Sequence, residues 1–127
     1  MRRLWTILGC ADIPKSLAWY QELLCLPKVP QVHDGFGQVI DEDGLVLLCL
    51  HSWREHDHPS LMDPEPAAGN GLLLFFRVDD FEGCLKAARG LVPKLDEEPS
   101  RNPATGTMEF ALRDPDGYYV MVSALEA

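Results

Sequence analysis

The chain has 127 residues, 46% of them hydrophobic, and a formal net charge of −9. That is the length and apolar content of one folded domain, so neither a disordered tail protein nor a multidomain assembly is expected. An excess of 20 acidic over 11 basic residues excludes the Lys and Arg clusters that a nucleic-acid partner requires, while leaving room for a cationic ligand.

The longest apolar runs, Leu45 to Leu50 and Leu72 to Phe76, are far too short to cross a bilayer, so no membrane partner is expected. The N-terminus moves from Met1-Arg2-Arg3 straight into Leu4-Trp5-Thr6-Ile7-Leu8, so no signal peptide is expected. Cys10, Cys25, Cys49 and Cys84 are each embedded in apolar sequence, and no two form a C-x-x-C pair. Buried, reduced thiols and a cytoplasmic location follow as expectations.

Leu4 to Cys10 reads as a strand. Asp12 is placed to cap a helix with Pro14 in its first turn, and Ile13, Leu17, Tyr20 and Leu24 recur at helical spacing as its buried face. Pro27 blocks continuation beyond Leu24 to Leu26. Lys28 to Val32 and Phe36 to Ile40 read as strands, then a turn at Asp41-Glu42-Asp43-Gly44, then a strand from Leu45 to Ser52. Residues 53–69 are polar, proline-rich and without period, as expected of a long loop.

Strand signals resume at Leu72 to Val78. Asp79 or Asp80 caps a second helix with Phe81, Leu85 and Ala88 inward and Gly90 as its C-cap. Leu91 to Leu95 reads as a short strand and Glu97 to Gly106 as a polar loop. Met108 to Leu112 and Tyr118 to Ser123 are the last two strands, joined through the turn Asp114-Pro115-Asp116-Gly117.

The order is strand, helix, three strands, twice over. Ile7-Leu8-Gly9-Cys10-Ala11-Asp12-Ile13 answers Phe75-Phe76-Arg77-Val78-Asp79-Asp80-Phe81, Leu17 answers Leu85, and Asp41-Glu42-Asp43-Gly44 answers Asp114-Pro115-Asp116-Gly117. An internal duplication of this kind predicts an α+β fold of two βαβββ modules, the first over about 1–52 and the second over about 70–127, joined by the loop at about 53–69.

This doubled pattern, with Asp12-Ile13-Pro14-Lys15-Ser16-Leu17-Ala18-Trp19-Tyr20 in the first helix and Phe110-Ala111-Leu112-Arg113-Asp114-Pro115-Asp116-Gly117-Tyr118 near the end, resembles the vicinal oxygen chelate superfamily of glyoxalases, extradiol dioxygenases, and fosfomycin and bleomycin resistance proteins. The resemblance covers essentially the whole chain. It implies paired curled sheets forming a cup for the ligand, and a homodimer. It also implies four metal-ligand positions, one seven residues before each helix-capping Asp and one four residues after each turn Gly.

Applied here, those spacings fall on Trp5, Leu73, Leu48 and Met121. None offers the imidazole, carboxylate or thiolate that a divalent metal takes. Among their neighbours Leu4, Thr6, Leu47, Cys49, Leu72, Leu74, Val120 and Val122, only Cys49 carries such a donor. No metal site, no cofactor and no catalytic residue are therefore expected, and the reading leans away from an enzyme.

Alternation places Ile7, Val46, Leu50, Phe75, Arg77, Tyr119 and Ser123 on the same face as those four positions. With Trp53 at the root of the loop and Glu109 and Arg113 on the seventh strand, the expected ligand-binding set is Trp5, Ile7, Leu48, Leu50, Trp53, Leu73, Phe75, Arg77, Glu109, Arg113, Tyr119 and Met121. Such an apolar, aromatic wall suits a small organic molecule held by shape and stacking. The same side chains could equally fill the cup.

His51 is expected to face away from Leu48 and Leu50, and His51, His56 and His58 lack the regular spacing of a metal-binding helix. Glu55, Asp57, Asp63 and Glu65 make the loop acidic. A greasy cup with an acidic lid is similar to the metal-free bleomycin resistance proteins, which sequester a cationic drug. The alternative is a metal-dependent lyase, dioxygenase or glutathione transferase of the glyoxalase or fosfomycin resistance type.

Overall fold

The computed structural model describes residues 1–30, 32–33, 35–54, 58–63, 69–70 and 72–127, with backbone only at 32 and 33. Its elements run β1 (Ile7–Cys10), α1 (Ile13–Leu23), β2 (Val32–His33), β3 (Phe36–Ile40), β4 (Val46–Ser52), a 3₁₀ turn at Pro59–Leu61, β5 (Leu74–Val78), α2 (Phe81–Leu91), β6 (Glu97–Arg101), β7 (Met108–Arg113) and β8 (Tyr119–Ala124). The two four-stranded sheets have orders β1-β4-β3-β2 and β5-β8-β7-β6, the same topology twice. In each the first and last strands of the module pair in parallel and the other neighbours are antiparallel. Two compact units result: Met1–Gln21 with Leu26–Ala68, and Glu22–Cys25 with Gly69–Ala127.

The duplication reaches single hydrogen bonds. Gly44 N–H donates to Asp41 O at 2.9 Å and Asp41 N–H to Leu45 O at 2.8 Å; Gly117 N–H donates to Asp114 O at 3.0 Å and Asp114 N–H to Tyr118 O at 3.0 Å. Gly44 and Gly117 have φ of 90° and 91°, a conformation that disfavours any residue with a Cβ.

Helix α1 starts as its sequence predicts, with the Asp12 carboxylate accepting from Lys15 N–H at 3.1 Å. Its buried stripe is Ile13, Ser16, Leu17, Tyr20 and Leu23; Leu24 is only half-buried, because the helix stops one residue earlier. It stops there through a hydrogen bond from Leu26 N–H to Gln21 O at 2.8 Å, made while Cys25 takes a left-handed φ of 57°. Chain reversal is complete before Pro27 acts.

The cap of α2 is Asp80, whose carboxylate accepts from Gly83 N–H at 3.0 Å. Gly90 is not the C-cap: the helix runs on through Leu91 and Val92 closes it, donating its N–H to Ala88 O. The buried face is Phe81, Cys84 and Ala88, with Leu85 half-buried. Leu91 to Leu95 is therefore not a strand, and the sixth strand lies in the segment expected to be a loop, Glu97–Arg101. Among the described residues between 28 and 33, only Val32–His33 pairs as a strand.

The second unit's core is the face of its sheet formed by Leu74, Phe110, Leu112, Val120 and Val122, all buried. Helix α2 packs across β7 and β8 there, with the Phe81 and Phe110 rings edge-to-face at 5.5 Å. In the first unit the matching face carries Leu8, Val39, Leu48 and Leu50, again all buried. Removing each such side chain from water contributes about 1.5–3 kcal/mol.

Candidate functional site

Residues directly opposite one another in a sheet share a face, so the register sorts the site. In the second unit Phe75 pairs with Met121 and Arg77 with Ser123. Ala111 also pairs with Met121, Glu109 with Ser123, and Arg113 with Tyr119. Phe75, Arg77, Glu109, Arg113, Tyr119 and Met121 thus lie together on the face opposite α2, as sequence spacing predicts for Phe75, Arg77, Tyr119 and Met121. Leu73 precedes β5 and is exposed.

One end of this face is a charged aromatic cluster. The Tyr119 hydroxyl donates to the Glu97 carboxylate at 2.7 Å, and the Arg113 guanidinium sits 4.6 Å from the centre of the Tyr119 ring. Arg113 also donates to Gly117 O at 3.0 Å and approaches Asp96 to 3.6 Å. Burial, the hydrogen bond to Glu97 and the charges of Glu97 and Asp96 push the Tyr119 phenol up to about 12, against the opposing pull of Arg113.

At the other end Glu109 accepts from Asn102 at 3.2 and 3.3 Å, and the Thr105, Thr107 and Ser123 hydroxyls form a chain with links of 2.7 and 3.0 Å. Phe75, Ala111 and Met121 separate the two polar ends.

In the first unit the corresponding face is not the one the spacing predicts. Ile40 pairs with Val46, but the next residue of β3, Val39, pairs with Leu48. β4 advances two residues where β3 advances one, so Leu47 is an extra residue, a β-bulge. The second unit has no such step, because Arg113 pairs with Tyr119 and Leu112 with Val120. Beyond the bulge every side chain of β4 is flipped. Leu48 and Leu50 therefore lie on the buried side with Leu8 and Val39, not with Ile7. Cys49 and His51 take the open side instead, opposite Ile7 and Gly9. His51 does face away from Leu48 and Leu50, and for that reason it shares the face of Ile7.

The open face of the first unit thus carries Ile7, Phe36, Gln38, Cys49 and His51. Gln38 Nε2 approaches Cys49 Sγ at 3.9 Å. Burial pushes the Cys49 thiol up, against the lowering effect of Gln38. His51 Nδ1–H donates to Ser52 O at 2.7 Å, and its ring meets Phe36 at 6.4 Å and His58 at 5.3 Å, both edge-on. Trp5 lies before β1 and is exposed.

Trp53 lies against Gly9: a Cβ built there would come within 2.6 Å of the indole. Gly9→Val is accordingly expected to expel the ring from this face. The check is tryptophan fluorescence, in which the variant should show a red-shifted, more quenchable emission that a Gly9→Val/Trp53→Phe double variant lacks.

Gln38, Cys49, His51, Glu97, Asn102, Thr105 and Thr107 are polar groups of these two faces that sequence spacing missed. Nothing in the apolar pattern marks Gln38 or Cys49, since the flip is a main-chain event. The loop residues Glu55, His56, Asp57 and Glu65 lie outside the described residues, while Asp63 is exposed. Cys25 is exposed, contrary to the expectation of four buried thiols. No helix among the described residues is long and apolar enough to cross a membrane.

Among the described residues no three His, Cys, Asp or Glu side chains converge to hold an ion. Cys49 and Met121, the equivalent last-strand positions on the two open faces, supply one thiol and one thioether. Those two described side chains fall short of the three or more N, O or thiolate donors that a divalent metal centre takes from a protein.

No curated protein matches the sequence. Among solved structures, a glyoxalase/bleomycin resistance protein/dioxygenase family enzyme from Burkholderia phytofirmans PsJN aligns with a TM-score of 0.71 at 17% identity, covering 95% of this chain and 96% of that one. A lactoylglutathione lyase from Agrobacterium tumefaciens aligns with a TM-score of 0.65 at 20% identity, covering 98% and 93%. A glyoxalase/bleomycin resistance protein from Catenulispora acidiphila gives 0.63 at 21%, covering 97% of each chain. These likenesses are of fold. The family model described as Glyoxalase/Bleomycin resistance protein/Dioxygenase superfamily matches residues 2–122. With that match added to the doubled βαβββ topology, the chain belongs to the glyoxalase/bleomycin resistance/dioxygenase superfamily.

Proposed function

We propose that this protein is a metal-independent binder of a small, planar, cationic or aromatic organic molecule, acting by sequestration in the manner of a bleomycin resistance protein. The observation that carries this reading is the composition of the second unit's open face. Phe75 and Met121 offer an apolar floor, and Tyr119 offers a ring already engaged by a guanidinium. Asp96 and Glu97 put negative charge beside that ring. A delocalised cation on an aromatic face with carboxylates at its edge is the chemistry that Arg113 displays there and that a ligand would share.

Two further features support the reading. Ile7 and Phe75 occupy equivalent positions on the two open faces and remain 43% and 42% exposed in the single chain, so both are available for contact. The net charge of −9 favours approach of a cation. We also propose a cytoplasmic homodimer, whose mass in solution light scattering would measure.

The test is thermal unfolding against N-methylquinolinium and its neutral counterpart quinoline. Ligand at 100 times its dissociation constant adds about 2.7 kcal/mol of stability, which raises Tm by several degrees. A rise with the cation that is weaker with quinoline, and lost in Glu97→Gln, is expected. No rise with any amphipathic cation would remove the sequestration reading. Stoichiometric zinc, nickel, manganese or iron in purified protein would favour an enzyme of the lactoylglutathione lyase kind instead.

A further inference from the structure

The seat that the sequestration reading gives to a ligand's cation already holds one. The Arg113 guanidinium lies 4.6 Å from the centre of the Tyr119 ring, donates to Gly117 O at 3.0 Å and stands 3.6 Å from the Asp96 carboxylate. Glu97, at the Tyr119 hydroxyl, completes the acidic rim. The acceptors are fixed from beneath. Gly117 O belongs to a turn braced by the buried Asp114 carboxylate, which accepts from Asp116 N–H at 2.8 Å and Tyr118 N–H at 2.9 Å. Asp96 N–H donates to Ala111 O at 2.9 Å. Arg113 is held less firmly: 55% of its side chain is exposed, and exposed ion pairs and cation–π contacts are weak.

The fold does not require this cluster. In the first unit the same turn forms, with the same two main-chain hydrogen bonds, between Ile40 and Val46, the counterparts of Arg113 and Tyr119. Burial, the hydrogen bond to Glu97 and the charges of Glu97 and Asp96 push Tyr119 up to about 12 in spite of Arg113. The ring therefore stays a neutral, electron-rich face at physiological pH, beside two carboxylates that favour positive charge.

We propose, resting on the sequestration reading, that the ligand of this face carries a guanidinium or amidinium head that displaces Arg113 from the Tyr119 ring. Arg113 is then a tethered stand-in for that head. The acceptors decide the class. A quaternary ammonium gains the ring and the charge but donates no hydrogen bond to Gly117 O or Asp96. A planar, delocalised cation with N–H donors at its edge gains the ring, the carbonyl and the carboxylate together. Phe75 and Met121, paired on the same face, receive an apolar or aromatic body attached to the head. Because Arg113 is already more than half exposed, its departure strands no charge in a dry site.

Calorimetric titration of the full chain compares benzylguanidinium with two controls. Benzyltrimethylammonium keeps the charge but has no N–H; benzylurea keeps the N–H donors but is neutral. Benzylguanidinium is expected to bind the wild-type protein about fivefold more tightly than either. Arg113→Gln should tighten it further, and by more than it tightens benzyltrimethylammonium, which measures the gain that losing one positive charge gives to any cation. In the wild-type protein, saturation with benzylguanidinium should move the Arg113 Nε–H NMR resonance from its ring-shifted position to that of a solvated arginine. An unmoved resonance at saturation, or weaker binding in Arg113→Gln, would overturn displacement, and the wild-type spectrum decides this even if the variant fails to fold. Equal affinity for benzylguanidinium and benzyltrimethylammonium, or binding of N-methylquinolinium without benzylguanidinium, would overturn the assigned head and leave sequestration of cations standing. Binding of none of these cations would remove both.

Discussion

Leu50→Ala is expected to lower the unfolding free energy by about 2–5 kcal/mol, whereas Ile7→Ala should change it by less than about 1 kcal/mol. Both residues are aliphatic and sit on adjacent strands, and counting back from the helix cap and forward from the turn glycine puts them on one face. The bulge at Leu47 separates them. Leu50 is 0% exposed, pairs with Leu8 and shares its face with Leu48 and Val39, so truncation leaves a cavity. Ile7 is on the open side. Urea unfolding with an unchanged slope measures the difference as a shift in midpoint. Equal losses at the two sites would mean that β4 runs without the extra residue and that Leu50 belongs to the open face after all.

The second large effect is at Phe110. Phe110→Ala should cost about 3–5 kcal/mol, a large part of the roughly 5–15 kcal/mol that holds a domain together. The ring is fully buried against Phe81 of α2, and its neighbours Val120 and Val122 are equally enclosed. Phe75→Ala, on the opposite face of the same sheet, should cost far less in stability while weakening any aromatic ligand. Chemical denaturation of both variants, with ligand titration of the second, separates the side of the sheet that holds the fold from the side proposed to take a ligand.

Much of this architecture is legible in the residues because burial leaves a periodic trace. The Asp12 and Asp80 caps, the twin turn glycines and the alternating apolar residues of β5, β7 and β8 all follow from local chemistry. They also fixed the open face of the second unit. The failures have a common cause. β6 reads Glu97-Glu98-Pro99-Ser100-Arg101 and has no apolar side, because it is an edge strand held to β7 by main-chain bonds that hydrophobic periodicity does not report. Leu91, Val92 and Leu95 are apolar without being a strand; they end a helix and lead away from it. The bulge is silent in the same way: Val46-Leu47-Leu48-Cys49 looks like any buried run, and only the pairing with β3 shows which leucine is surplus.

That surplus leucine is one codon's difference between two halves descended from the same instruction. To turn a cysteine and a histidine outward by substitution would take coordinated exchanges at several positions, each intermediate burying a polar group or stranding an aliphatic one. A single insertion reassigns the whole end of a strand at once and leaves the other module untouched. A chain built of two like modules can therefore change the lining of one module's sheet in one genetic step.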